Sequence, residues 1–233
     1  RFALGKLESA LQQQGDATKR LPRDGASAQP DIVVLTSAGM AMNPGPEGFS
    51  LARRDGRLRI TGGDERGAMY GVLDVAEQIR MGTPWNKIQD HTVKAQFQFR
   101  AIKFNLPWAA YRTSPVLEQH DATCRDLKFW EAFLDMMAEN RFNALTLWNL
   151  HPFTYMIRAK NFPEACPYTD AELKVWQDFW HSLLKMSADR GIKTFVFNWN
   201  IMVSHSFAKK FGVAEYCLDE YPGKDFIGKG DYS

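Results

Sequence analysis

The sequence is poor in the features that mark specialised chains. Only 3 of its 233 residues are cysteine, and Cys124, Cys166 and Cys217 stand far apart, so no disulfide framework follows. No close-spaced set of Cys and His has the spacing of a structural zinc site. No run of about 18 apolar residues occurs, which excludes a membrane-spanning helix. Neither sign of charge dominates: 29 Lys and Arg against 27 Asp and Glu leave a formal net charge of +2. That balance offers no basic footprint for nucleic acid. Glycine-rich phosphate loops are missing too. Gly62-Gly63 precedes a helical pattern but has neither the dinucleotide fingerprint nor the P-loop lysine. A Gly-x-Ser-x-Gly nucleophile elbow is likewise absent.

The ordinary content is a hydrophobic fraction of 45% with 24% charged residues, which excludes intrinsic disorder. A chain of this length forms one or two domains with a core of its own. The unusual content is aromatic, at 13%, with 7 Trp of which all but Trp85 lie after residue 100. The chain begins at Arg1 and stops at Asp231-Tyr232-Ser233 without a closing helix, and it reads as a fragment of something longer.

The first part has an α+β grammar. Phe2, Leu4, Leu7, Ala10 and Leu11 have helical spacing and end at Gly15. Residues 16–30 are a Gly/Pro-rich loop, and 31–36 is a β-branched run with the character of a buried strand. Residues 49–53 and 58–61 alternate on either side of Asp55-Gly56, which predicts a hairpin. A helix is expected over 65–81, with Met69, Val72, Leu73, Ala76 and Ile79 on one face. Gly67 and Gly71 sit four apart in that helix, where each costs about 1 kcal/mol relative to Ala. Close packing against the sheet is the reason to expect them there. Residues 82–98 read as a polar connector.

Beyond it the pattern changes to strand, helix, strand, helix, strand: 99–106, 126–140, 142–150, 169–190 and 192–199. That order means parallel β/α units with right-handed crossovers. Thr169 with Glu172 three residues later is a capping box, and Gly191 stops the second helix. Function in such architectures sits at the carboxyl ends of the strands. Those ends carry Asn105 and Trp108, then Trp148, Asn149 and His151, then Asn198, Trp199 and Asn200. An Asn and a Trp recur at each of the three. Sugar rings stack on Trp, and Asn both donates to and accepts from hydroxyls. Arg100 or Arg112 is available for a carboxylate or for hydroxyls. The competing reading is that each Trp packs the core and each Asn caps a loop. Trp130, Trp176 and Trp180 fall on helices and are assigned to the core. Glycoside hydrolysis needs two carboxyl groups, and none stands at these strand ends.

Gly63-Asp64-Glu65-Arg66-Gly67-Ala68-Met69-Tyr70-Gly71-Val72-Leu73, after a strand pair beginning Gly48-Phe49-Ser50-Leu51, resembles the accessory domain that precedes a glycosidase barrel. That domain is shared by family 20 β-N-acetylhexosaminidases and by α-glucuronidases of families 67 and 115. Asn143 to Asn149 and Gly191 to Asn200 are similar to the second and third strands of family 67, and Phe99-Arg100-Ala101 is similar to the Arg-Gly of the hexosaminidases. The hexosaminidases typically have a His-Trp-His type motif where this chain has Leu147-Trp148-Asn149.

The resemblance implies residues 1–92 as an α+β accessory domain and 93–233 as the first β/α units of a truncated (β/α)8 TIM barrel. It implies a glycoside hydrolase acting on carbohydrate, α-glucuronidase-like in polysaccharide breakdown, with no cofactor or metal. The alternatives are a β-N-acetylhexosaminidase-like enzyme and a non-catalytic carbohydrate-binding protein. Arg100, Asn105, Trp108, Trp148, Asn149, His151, Asn198, Trp199 and Asn200 are its expected substrate-binding residues. The catalytic acids come from the fourth strand end or later in these families, so the fragment itself is expected to be inactive.

Overall fold

The computed structural model describes residues 1–21, 31–37, 43–108, 115–149, 152–197, 205–212, 214–216 and 225–227. The chain divides into two units, the first formed by Arg1–Arg100 with Met137–Arg141 and Asp189–Gly191, the second by the remainder.

The first unit contains helix α1 (Phe2–Gln13), strands β1 (Ile32–Thr36), β2 (Phe49–Arg54) and β3 (Arg57–Gly62), helix α2 (Glu65–Arg80) and strand β4 (His91–Val93). Its sheet has the order β1-β3-β2-β4, with β1 parallel to β3 and the other pairs antiparallel. The hairpin is as the sequence predicts. Asp55 and Gly56 both have positive φ, 53° and 76°, and this mirror-image turn matches the twist of the flanking strands. Asp64 caps α2, its carboxylate accepting from the Gly67 amide at 2.7 Å. The face of α2 carrying Val72, Leu73, Ala76 and Ile79 is buried. Gly71 lies where an added Cβ would meet Ile60 and Phe49, and Gly67 where it would meet the carbonyl of Gly48. Gly71 therefore serves close approach to the sheet, and Gly67 close approach to the turn that leads into β2.

Two expectations are corrected. β1 is not buried: every residue in it is half-exposed or exposed, and among the described residues it pairs on one side only, with β3. The connector is not featureless. His91–Val93 adds β4 to the free side of β2, and Trp85–Lys87 forms a 3-10 turn.

The second unit contains β5 (Ala101–Asn105), α3 (Pro115–Arg125), α4 (Leu127–Glu139), β6 (Ala144–Trp148), α5 (Asp170–Asp189), β7 (Lys193–Phe197), α6 (His205–Phe211), β8 (Ala214–Tyr216) and β9 (Asp225–Ile227). α3, α6, β8 and β9 have no counterpart in the sequence reading. β5, β6 and β7 form a parallel sheet in chain order. The capping box of α5 is present: the Thr169 amide and hydroxyl donate to Glu172 at 2.8 Å, and the Glu172 amide donates back to Thr169 at 3.3 Å. Gly191 closes the helix at φ 69°. Trp130, Leu134, Leu145, Leu147 and Leu183 are fully buried between sheet and helices. The Trp130 indole donates to the Cys124 carbonyl at 2.8 Å. Among the described residues no helix is long and apolar enough to cross a membrane.

Candidate functional site

Strand alternation decides what the parallel sheet offers. Phe104 packs on the helix side, its ring 4.9 Å from Trp130 and 5.4 Å from Phe133. Lys103 and Asn105 therefore stand on the opposite face. Register carries this across the sheet in three rows: Ala101, Ala144 and Lys193; Lys103, Thr146 and Phe195; Asn105, Trp148 and Phe197. The last row is the carboxyl-end row. Strands about 4.8 Å apart set its three side chains across roughly 10 Å, close to the reach of one or two sugar rings. Asn105 is exposed and Trp148 half-buried, while Phe195 and Phe197 are 39% and 50% exposed.

The ladder runs on past the strands. The Leu106 amide donates to the Trp148 carbonyl at 2.8 Å, and the Asn149 amide to that of Phe197 at 3.2 Å. Asn149 is 1% exposed, and its side-chain amide donates to the Trp108 carbonyl. It thus ties the chain leaving β5 to the end of β6.

Trp108 is not with Trp148. It is 3% exposed and packs against α5, with ring centroids 4.6 Å from Trp176, 5.4 Å from Phe179 and 5.7 Å from Tyr155. Burial pushes the phenols of Tyr155 and Tyr168 in this group above their ordinary range, so both stay neutral.

Arg100 stands apart as well. It precedes β5, five residues or about 16 Å of extended chain from Asn105. Its guanidinium binds the Glu47 carboxylate, the Phe97 carbonyl and, at 2.6 Å, the Arg141 carbonyl. Glu47 also pairs with Arg66, and its amide donates at 3.0 Å to the same Asp64 that caps α2. Tyr70 lies beneath, its ring centroid 5.9 Å from Arg100. These are the contacts of a residue built into the first unit. His91 and His120 also have neighbours that the sequence does not reveal. His91 lies 3.2 Å from an Asp74 oxygen, and His120 3.6 Å from the Cys124 sulfur.

The structure thus brings together Asn105, Trp148 and the backbone of Asn149, with Trp108 behind them in the helix layer. His151, Asn198, Trp199, Asn200 and Arg112 lie outside the described residues. Sequence reasoning passed over Lys103, Phe195 and Phe197. Their signal was counting back by two from Asn105 and aligning the third strand with the second.

No protein-family model matches the chain, and no curated protein is similar to it in sequence. Solved structures are similar. A GH138 enzyme targeting pectin rhamnogalacturonan II superposes with a TM-score of 0.75 at 24% identity, over 93% of this chain and 26% of that one. The fold is of the glycoside hydrolase type. The family 20 chitobiase of Flavobacterium johnsoniae follows at a TM-score of 0.59 and 13% identity, over 97% of this chain and 34% of its own. The family 20 exo-β-N-acetylglucosaminidase of Vibrio harveyi has a TM-score of 0.57 at 12% identity, over 97% and 36%. The chain therefore spans between a quarter and rather more than a third of these glycoside hydrolases.

Proposed function

We propose that this chain is the N-terminal part of a glycoside hydrolase. In this reading the first unit is its accessory α+β domain, and β5, β6 and β7 begin a (β/α)8 barrel. The observation that carries the reading is the likeness, along nearly the whole chain, to glycoside hydrolases of more than one family. The open face supports it. Barrel strands present alternate residues to the interior, and active sites form at their carboxyl ends. Here that end shows an amide and two aromatic rings, suited to sugar hydroxyls and sugar faces.

The reaction needs a carboxylic acid to protonate the leaving oxygen and a carboxylate to act as nucleophile or base. None of the three strands contains Asp or Glu, and in this reading both groups come from the fourth strand end or later, as the family resemblance implies. The role of this chain is then to bind and orient. Asn105 holds hydroxyls, and Trp148 and Phe197 supply stacking surfaces. Asn149 and Trp108 tie the chain leaving β5 to the end of β6, and His151, Asn198, Trp199 and Asn200 are proposed as further substrate-binding residues. An α-glucuronidase-like activity on uronic-acid-bearing polysaccharide is the finer proposal. The test is hydrolysis of a panel of 4-nitrophenyl glycosides by the full-length protein. Turnover of at least one is expected, with none by residues 1–233 alone. Full-length protein inert on every glycoside would refute the reading.

A β-N-acetylhexosaminidase activity is the second reading, favoured by the family 20 neighbours. Preference for the N-acetyl-β-glucosaminide over the α-glucuronide would establish it. Sugar binding without hydrolysis would instead indicate a carbohydrate-binding protein.

A further inference from the structure

We infer that Lys103 is the cation of this site and that it pairs with a carboxylate there. The inference rests on the barrel reading above. Arg100, one of the two arginines that the sequence offers for an anion, is held by Glu47 and by two carbonyls. Lys103 is differently placed. It occupies the middle row of the open face, beside Thr146 and Phe195. Its ammonium rises from that row to 5.7 Å from the centroid of the Trp148 ring, in the row above. The charge therefore lies near Trp148, whose strand position belongs to the carboxyl-end row. Attraction to the indole face holds the ammonium there but does not neutralise it. Among the described residues no carboxylate lies within ion-pairing distance of Lys103.

Its surroundings make a counter-ion necessary once the face is covered. The neighbours on the face are Phe195, Phe197 and Trp148, which are apolar, with Thr146 and Asn105, which are uncharged. A barrel interior is packed rather than water-filled. An ammonium enclosed there without an anion carries a desolvation cost that a paired one does not. Lys193 lies on the same face but at the amino end, two rows below Phe197. Among the described residues, Lys103 is thus the cation of the face that reaches the strand ends. The carboxylate it takes comes from one of two sources: an acidic sugar bound at the strand ends, or an acidic side chain of a later strand.

The experiment uses the full-length protein as wild type, Lys103→Met and Lys103→Arg. Hexuronate and hexose binding are measured by calorimetry, and kcat, KM and pH–rate profiles on the best nitrophenyl glycoside. If the sugar supplies the carboxylate, Lys103→Met weakens glucuronate or galacturonate binding about 10–100-fold, the worth of one charge-assisted hydrogen bond. Glucose and galactose binding stay unchanged, and Lys103→Arg recovers much of the loss. If a side chain supplies it, Lys103→Met lowers kcat on all substrates and raises the pKa of one limb of the pH profile, again with recovery in Lys103→Arg. Wild-type binding, kcat and pH profile in Lys103→Met overturn the inference, as does a loss that Lys103→Arg does not reduce. Protein that hydrolyses nothing but binds hexuronates through Lys103 refutes the hydrolase reading and leaves this inference standing.

Discussion

Replacing Gly71 by alanine tests the packing of α2 on its sheet, because two effects of opposite sign meet there. In an exposed helix interior Gly→Ala stabilises by up to about 1 kcal/mol. At Gly71 the new methyl would lie 2.6 Å from Ile60 Cγ2 and 3.2 Å from two carbons of Phe49. Ordinary carbon–carbon contact is at about 3.5–4.0 Å, so the overlap with Ile60 is about 1 Å. Ile60 is 0% exposed in β3, and its branched Cβ leaves it little rotameric freedom. Overpacking of this kind costs about 1–3 kcal/mol.

The expected net effect is a loss of about 1–2 kcal/mol, from the overpacking less the helix-propensity gain. Gly5, in α1, is the control: no atom lies within 4 Å of its added Cβ, so Gly5→Ala stabilises. The decisive assay is a double-mutant cycle by urea unfolding, with amide exchange read at β3. Ile60→Ala removes Cγ2, and in that background Gly71→Ala becomes neutral or favourable, a coupling of about 2 kcal/mol. Ile60→Val keeps Cγ2 and keeps the penalty. Equal cost of Gly71→Ala in all three backgrounds would refute the reasoning.

Three further outcomes are expected. Trp130→Phe deprives the buried Cys124 carbonyl of its indole donor and should cost about 1–3 kcal/mol in denaturant unfolding; an unchanged midpoint would show that the bond is replaced. Thr169→Ala should destabilise α5 at neutral pH. The hydrogen bonds from the Thr169 amide and hydroxyl hold the Glu172 carboxyl below its ordinary range. That contribution is present above the unfolded glutamate pKa and is lost as pH falls through the depressed folded value. The difference between wild type and Thr169→Ala in thermal melts should therefore shrink on acidification. Burial pushes the Cys124 thiol up to about 12, so mass spectrometry after iodoacetamide treatment at pH 8 should find it unlabelled in native protein and labelled in urea.

Much of the architecture was legible because it is written in local pattern. Asp55-Gly56 between alternating runs specifies its hairpin by backbone sterics alone. Thr169 with Glu172, and Gly191, mark the ends of α5 for the same local reason. β1 and β4 were misread or missed because partner number decides their character. A β-branched run looks the same at an edge as in the centre, and His91–Val93 is too short to carry a period. α3 escaped because its residues, Pro115–Arg125, are mostly polar and exposed, with little apolar face to count.

The site divides along the same line. The sequence by itself determined the order of β/α units and the polar and aromatic residues near their carboxyl ends, since both follow from spacing along one chain. Only the tertiary structure decided which of those side chains share a face. Trp108 turns into the helix layer because four aromatic neighbours bury it there. Arg100 is bound to Glu47, 53 residues away in sequence. Lys103 joins Trp148 because parallel register sets them on one side of the sheet. Register and ion pairing link residues far apart along the chain, and local periodicity has no access to either.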